Sequence, residues 1–166
     1  MGETVVNLIK LFTSFRGRIS RKSWWLATIA IEIVIFCGSA VLNPASLSFD
    51  SDVVVPAVPS ETIWLLLMVI PSTAITVKRF NDRDWPYWLG YAVALPDIIF
   101  YTEPYFGAYT PWPELSYPIA FWISVPTLLF ILVENGFMRG TKGPNRYGPD
   151  PLERTQEGGA AMVGAK

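Results

Sequence analysis

KRFNDRDWPYWLG, Lys78 to Gly90, places five formal charges and four aromatic rings between two apolar runs. Such a segment fits a membrane surface, where Arg and Lys heads reach water and Trp and Tyr rings sit at headgroup level. Outward from it the chain resolves into four apolar blocks: Trp24 to Leu42, Thr62 to Val77, Trp85 to Tyr101 and Leu115 to Val133. Each is 16 to 19 residues long, at the short end of the roughly 17–25 that cross a hydrocarbon core of about 30 Å. A hydrophobic fraction of 51% with 16% charged residues is also high for a soluble domain of 166 residues. The reading is an all-α membrane protein of four short transmembrane helices.

Charge placement separates this reading from a soluble bundle of core helices. The loop Asn43 to Glu61 carries Asp50, Asp52 and Glu61 without a Lys or Arg, and Thr102 to Glu114 carries Glu103 and Glu114 without a base. All 13 basic residues fall elsewhere: five before Trp24, three in 78–84 and five after Val133. That alternation is the positive-inside pattern of four spans with both termini cytoplasmic. The net charge of −1 therefore hides an asymmetry between two faces, which points to anionic membrane lipid and away from nucleic acid. The first apolar block is long for a signal-peptide core and lacks an A-x-A site, so it is expected to stay as an anchor.

Residues 1–22 form a basic N-terminal segment, 23–134 the transmembrane domain and 135–166 a cytoplasmic motif with a tail expected to be disordered from Leu152. Leu8, Phe12, Phe15 and Ile19 recur at helical spacing and predict an amphipathic interfacial helix before the first span. Gly17 lets the chain turn, Ser20 is the expected N-cap of the first span, and Trp24 and Trp25 sit at belt level. The proline-rich stretches 43–60 and 102–114 read as external loops at the outer interface, and Pro71, Pro96, Pro118 and Pro126 predict kinks in three spans.

With no histidine and a single cysteine, Cys37, the chain holds no Ser-His-Asp or Cys-His centre, no His-ligated haem and no ordinary zinc site. No cofactor or metal is expected. GFMRGTKG fails the spacing of a phosphate loop. Two acids remain inside the spans. Glu32 lies eight residues into the first block, roughly 12 Å deep at about 1.5 Å per residue, and should be protonated or paired. Asp97 follows Pro96 in the third block. Either acid serves a proton or cation relay or, as the favoured reading has it, bonds a neighbouring helix through Thr28, Ser72, Thr73 or Ser124.

Three basic-side pieces, FTSFRGRISRKSWW at 12–25, KRFNDRDWPYW at 78–88 and GTKGPNRYGPDP at 140–151, together resemble the bacterial inner-membrane family known as domain of unknown function 805. The family pattern is G-R-x-S-R before the first span, R-L-H-D with a tryptophan-ending turn between spans two and three, and G-x-N-x-Y-G-x-x-P after the last. Arg18, Ser20 and Arg21 match the first motif; Arg79, Asp82 and Trp88 the second; Gly143, Asn145, Tyr147, Gly148 and Pro151 the third. Asn81 stands at the usual histidine and Pro86–Tyr87 at the usual Ser-Gly, so any proton transfer by that histidine is lost here. The resemblance implies a small polytopic membrane protein of unknown activity and carries over no catalytic residue.

The charge pattern puts all three motifs on one face, where Arg79 and Asp82, three apart, are expected to pair and Asn145 or Arg146 to cap span ends. This cluster is read as a latch, with a loop that merely sets orientation as the alternative; Arg83, which matches no motif position, is expected to matter little. The expected function is a non-enzymatic accessory or scaffold protein holding anionic lipid, a membrane-protein partner or a second copy. A small oligomeric transporter or channel using Glu32 and Asp97 is the second reading, and a headgroup enzyme using Asp82 or Asp84 the third.

Overall fold

The computed structural model describes residues 2–47, 57–106 and 113–153. The described chain contains α1 (Gly2–Thr13), α2 (Arg21–Leu42), α3 (Pro59–Asp82), α4 (Tyr87–Ala92), α5 (Leu95–Phe106) and α6 (Pro113–Ile131), and residues 151–153, the last two expected in a disordered tail, are helical as well. A short 3-10 turn follows α2 at Pro44–Leu47, and a π turn, Leu132–Phe137, continues α6. Among the described residues there is no strand, only an isolated antiparallel bridge between Asn145 and Gly148.

Each boundary has a local cause. Ser20 caps α2 as expected: its backbone is extended (φ −71°, ψ 162°) and its Oγ accepts the N–H of Ser23 at 3.2 Å. Pro59 opens α3, where its missing N–H costs nothing. At the other end α3 closes in a Schellman arrangement, with Trp85 N–H donating to Phe80 O (3.0 Å) and Asp84 N–H to Asn81 O (3.2 Å). Asp84 supplies the left-handed residue that this closure needs, at φ 60°. Residues 78–82, expected in a turn, are therefore the last turn of a helix that outruns its apolar block.

Three helical stretches are long and apolar enough to cross a membrane: Arg21–Leu42, Pro59–Asp82 and Leu115–Phe137. Their apolar windows are only 11%, 28% and 6% buried inside the protein. Side chains such as Phe36, Val41, Trp122 and Leu128 are exposed, an arrangement that is stable in lipid and not in water. The chain is a membrane protein.

The expected third span, 85–101, is not one helix. It divides into α4, packed on α3, and α5, packed on both α6 and α3, with a break at Val93–Ala94. Pro96 is the cause: without an N–H it cannot bond Ala92 O, and its ring disfavours continuous helix through the preceding turn. At 12 residues, about 18 Å, α5 alone is shorter than a hydrocarbon core of about 30 Å. The other prolines named in the sequence, Pro71, Pro118 and Pro126, lie inside helices.

The expected helical stripe Leu8–Ile19 is also shorter than predicted. α1 ends at Thr13, and Gly17, at φ +93°, turns the chain toward α2. Phe15 and Ile19 thus leave the helix, and Ile19 joins a core cluster with Trp24, Ala27, Ile31 and Ile75 against which Leu11 and Phe12 pack. The α2 members recur at i, i+3 and i+7, one face turned to α3. The stretches 48–56 and 107–112, parts of the expected external loops, and the tail 154–166 lie outside the described residues.

Candidate functional site

The end of the bundle that carries the basic residues is held by one carboxylate. Asp82 is the last residue of α3, and its side chain is 5% exposed. Oδ1 accepts from Arg18 Nε at 3.0 Å, and Oδ2 accepts from Arg79. The expected Arg79–Asp82 pair is present, with Arg18 added to it.

Each guanidinium then reaches further. Arg18 donates to the carbonyls of Thr141 (2.7 Å), Gly143 (2.8 Å) and Gly148 (3.1 Å). Arg79, fully buried, donates to Asn135 O at 2.8 Å and to Met138 O. Burying three charges is tolerable only when every charge is paired and hydrogen-bonded, and here one carboxylate and five carbonyl oxygens surround two guanidinium planes.

The π turn explains why so many carbonyls are free to accept. A helix end leaves its last four carbonyls unsatisfied. Here the wide turn, closed by Met138 N–H on Val133 O at 3.2 Å, presents them in sequence. Asn135 O takes Arg79, Gly136 O takes Trp25 Nε1 (3.1 Å), Phe137 O takes Arg21 (2.9 Å) and Met138 O takes Arg79 again. Cations at this helix end also meet the negative end of its dipole.

The segment after the π turn folds back over α3. Thr141 donates its N–H (2.8 Å) and its hydroxyl (3.1 Å) to Asp82 O. Gly140 passes so close to Asp82 that a Cβ there would collide with the carboxylate. Asn145 donates to Asn81 O (2.9 Å) and to Thr141 Oγ1 (3.0 Å), and its Oδ1 accepts Tyr147 N–H (2.9 Å). Tyr147 OH donates to Trp85 O at 2.7 Å, and Arg146 reaches Asp84 O at 2.8 Å. Asn81 in turn donates to Gly17 O at 3.1 Å.

Of the residues singled out in the sequence, Arg18, Arg79, Asp82, Asn145 and Tyr147 are joined in this network, and Arg21 and Ser20 border it. Trp88 does not join: it projects from α4 and is 58% exposed. Asp150, unremarked in the sequence, accepts the N–H groups of Leu152 (2.9 Å) and Gly143 (3.1 Å). Those two donors hold its carboxyl below the ordinary 3.8.

Two further residues are more engaged than their spacing suggests. Arg83 pairs with Glu134 at 3.1 Å, shares it with Trp85 Nε1 (3.3 Å), and donates to Arg139 O. Glu134 was findable as the first charge after the fourth apolar block, at the depth where the charge of Arg83 lies. Lys78 is buried and caps α1 by donating to Lys10 O (3.1 Å) and Leu11 O.

Glu32 and Asp97 lie elsewhere, on α2 and α5. Glu32 is exposed on α2 and Asp97 half-buried on α5. Neither carboxyl bonds Thr28, Ser72, Thr73 or Ser124; Thr28 Oγ1 has no partner and Ser124 donates to Pro96 O at 3.3 Å. Asp97 borders a cavity of about 30 Å³ with Ser72, Thr73 and Thr76. Among the described residues no group of three acidic or sulfur ligands is placed to hold a metal.

The family model described as "Protein of unknown function (DUF805)" matches residues 12–149, and the chain belongs to that family. It is 27% identical over 147 residues to Inner membrane protein YhaI of Escherichia coli strain K12, covering 88% of this chain and 92% of that one. It is 26% identical over 156 residues to Uncharacterized protein YiiR of the same strain, covering 82% and 85%. No solved structure matches.

Proposed function

We propose that this member of the family is a non-enzymatic accessory protein of the bacterial inner membrane, with the basic end in the cytoplasm and both termini on that side. Its basic face holds anionic lipid or a membrane-protein partner. One observation carries the reading: every Lys and Arg among the described residues belongs to segments gathered at one end of the bundle, where a buried clasp holds them in a fixed frame. A rigid basic platform at headgroup level attracts anionic lipid by about 1 kcal/mol per cation. The inner-membrane name of the relative YhaI supports the location. An enzymatic role for Asp82 is disfavoured because both of its oxygens are occupied by guanidinium groups.

The orientation is tested by single cysteines in a Cys37→Ser background. Positions 51 and 110 should label from outside whole cells with an impermeant thiol reagent, and position 14 should not. Purification in mild detergent with mass spectrometry of bound lipid and protein tests the role. Anionic lipid enriched over its membrane share is the expected result.

The place of Asp97 beside a small cavity with Ser72, Thr73 and Thr76 favours a transporter as the second reading. Glu32→Gln should leave both abundance and any growth phenotype unchanged, whereas Glu32→Lys should impair insertion. A proton or cation flux in vesicles that is abolished by Glu32→Gln at normal abundance would replace the accessory reading with the transporter.

A further inference from the structure

Seven cations among the described residues form no ion pair, and four of them meet at one place. Arg21 and Lys22 open α2, Arg139 and Lys142 follow the π turn, and all four are exposed. The ion pairs of the described residues engage Arg18, Arg79, Arg83 and Arg146 instead. The unpaired four converge on one open cleft of about 390 Å³.

Two carboxylates also border this cleft, Asp82 and Asp150, and both are already engaged. Asp82 is shared by two guanidinium groups, and Asp150 accepts two backbone N–H groups and lies in the field of Arg18 and Arg139, so two carboxylates face the four cations and Arg79. The first turn of α2 adds to the excess of positive charge. It contains Arg21 and Lys22 but no acidic residue, and the positive end of the helix dipole adds to their field. Concave geometry, several converging cations and a helix N-terminus together make a receptor for an anion with many acceptor oxygens.

We propose that this cleft binds a phosphate group carried by an anionic lipid, between Arg139 and Lys142 on one side and Arg21 and Lys22 on the other. The site deepens the basic-face reading and rests on it. A lipid source is favoured by position: Trp24 and Trp25 follow within three residues of the cleft, and the membrane-length helix α2 begins at its wall. Pro151 and Leu152 contribute apolar surface beside the charges. A terminal phosphomonoester, with a charge of about −1.5 to −2 at neutral pH, meets more of the four cations than a singly charged diester.

The test uses the full chain in mild detergent, with native mass spectrometry reading retention of dioleoyl phosphatidate, phosphatidylglycerol and phosphatidylcholine. Phosphatidate should bind tightest and phosphatidylcholine weakest. Arg139→Gln/Lys142→Gln should weaken phosphatidate by about tenfold, while Lys10→Gln/Arg16→Gln, the same charge removed at the same end outside the cleft, should cost less than about twofold. Lipid-free melting of both variants verifies folding, and Lys142→Gln alone, with about a threefold loss, replaces the double variant if that one melts early. Equal losses in the two double variants overturn the cleft and leave the basic-face reading standing. Absence of any preference for anionic over zwitterionic lipid overturns both. Displacement of phosphatidate by an equal concentration of inorganic phosphate overturns the lipid source in favour of free phosphate.

Discussion

The two ends of α3 live under different physics. Toward the basic end, every residue from Thr73 to Asp82 is buried, including Lys78, Arg79, Asn81 and Asp82. Its first half, from Pro59 to Ser72, buries no residue, and α6 buries only Ala120 among its described side chains. In water this would be an inverted protein. In lipid it is expected, because hydrocarbon solvates an apolar helix face as well as another helix does, so helices gain little by burying Leu or Ile against each other. Polar groups gain most from one another where water and lipid are both excluded. Stability should therefore be concentrated in the clasp, and four substitutions sharpen or break that contrast.

The largest effect is expected for Asp82→Ala, which leaves the Arg18 and Arg79 charges buried without a carboxylate. A loss of about 3–5 kcal/mol is expected, read as thermal unfolding in detergent and as protease access near Arg146. A loss below about 1 kcal/mol would mean that the clasp is not what holds this end together.

Arg83→Ala comes next. Its partner Glu134 is mostly shielded, with side-chain exposures of 21% and 16% for the pair, so about 1 kcal/mol is expected. An effect too small to measure would restore the reading from motif spacing alone, in which Arg83 is a bystander.

Asp150→Asn tests the loop that the clasp carries. A carboxyl held below its ordinary 3.8 stabilises the folded form above that pH, and the contribution disappears as pH falls through the folded value. Wild type should melt above Asp150→Asn near pH 6, and the two midpoints should converge once the pH falls through the folded value, which lies below 3.8. Midpoints that differ equally above and below that value would show that the carboxylate charge is not involved.

The smallest effect is expected for Leu128→Ala, on the exposed face of α6, at under about 0.5 kcal/mol. A loss of several kcal/mol there would reveal that this face is covered by protein, and the contrast between the two ends would fail.

Much of this contrast was legible before any fold was known. The apolar blocks located α2, α3 and α6, and the alternation of basic residues predicted that residues 12–25, 78–88 and 140–151 would share one end. Ser20 was recognisable as a cap because capping depends on the four residues of a single turn. The Arg79–Asp82 pair was legible for the same reason, since i and i+3 meet on any helix.

Other features depended on distances that hydropathy and spacing do not contain. Pro96 was visible, but whether it kinks a span or divides it into α4 and α5 depends on what each piece packs against: α4 lies on α3, and α5 lies between α6 and α3. The choice of Arg18 as second partner of Asp82 spans 64 residues, and that of Glu134 for Arg83 spans 51. Such pairs are selected by the rotation of each helix about its axis and by the π turn, which offers four consecutive carbonyls to donors on α2 and α3. The sequence alone determined that this is a helical membrane protein with its basic residues at one end, because transfer between water and lipid is a sum over residues. The tertiary structure alone decided which charges are buried together and which four stay unpaired around the cleft, because pairing is a property of positions in space.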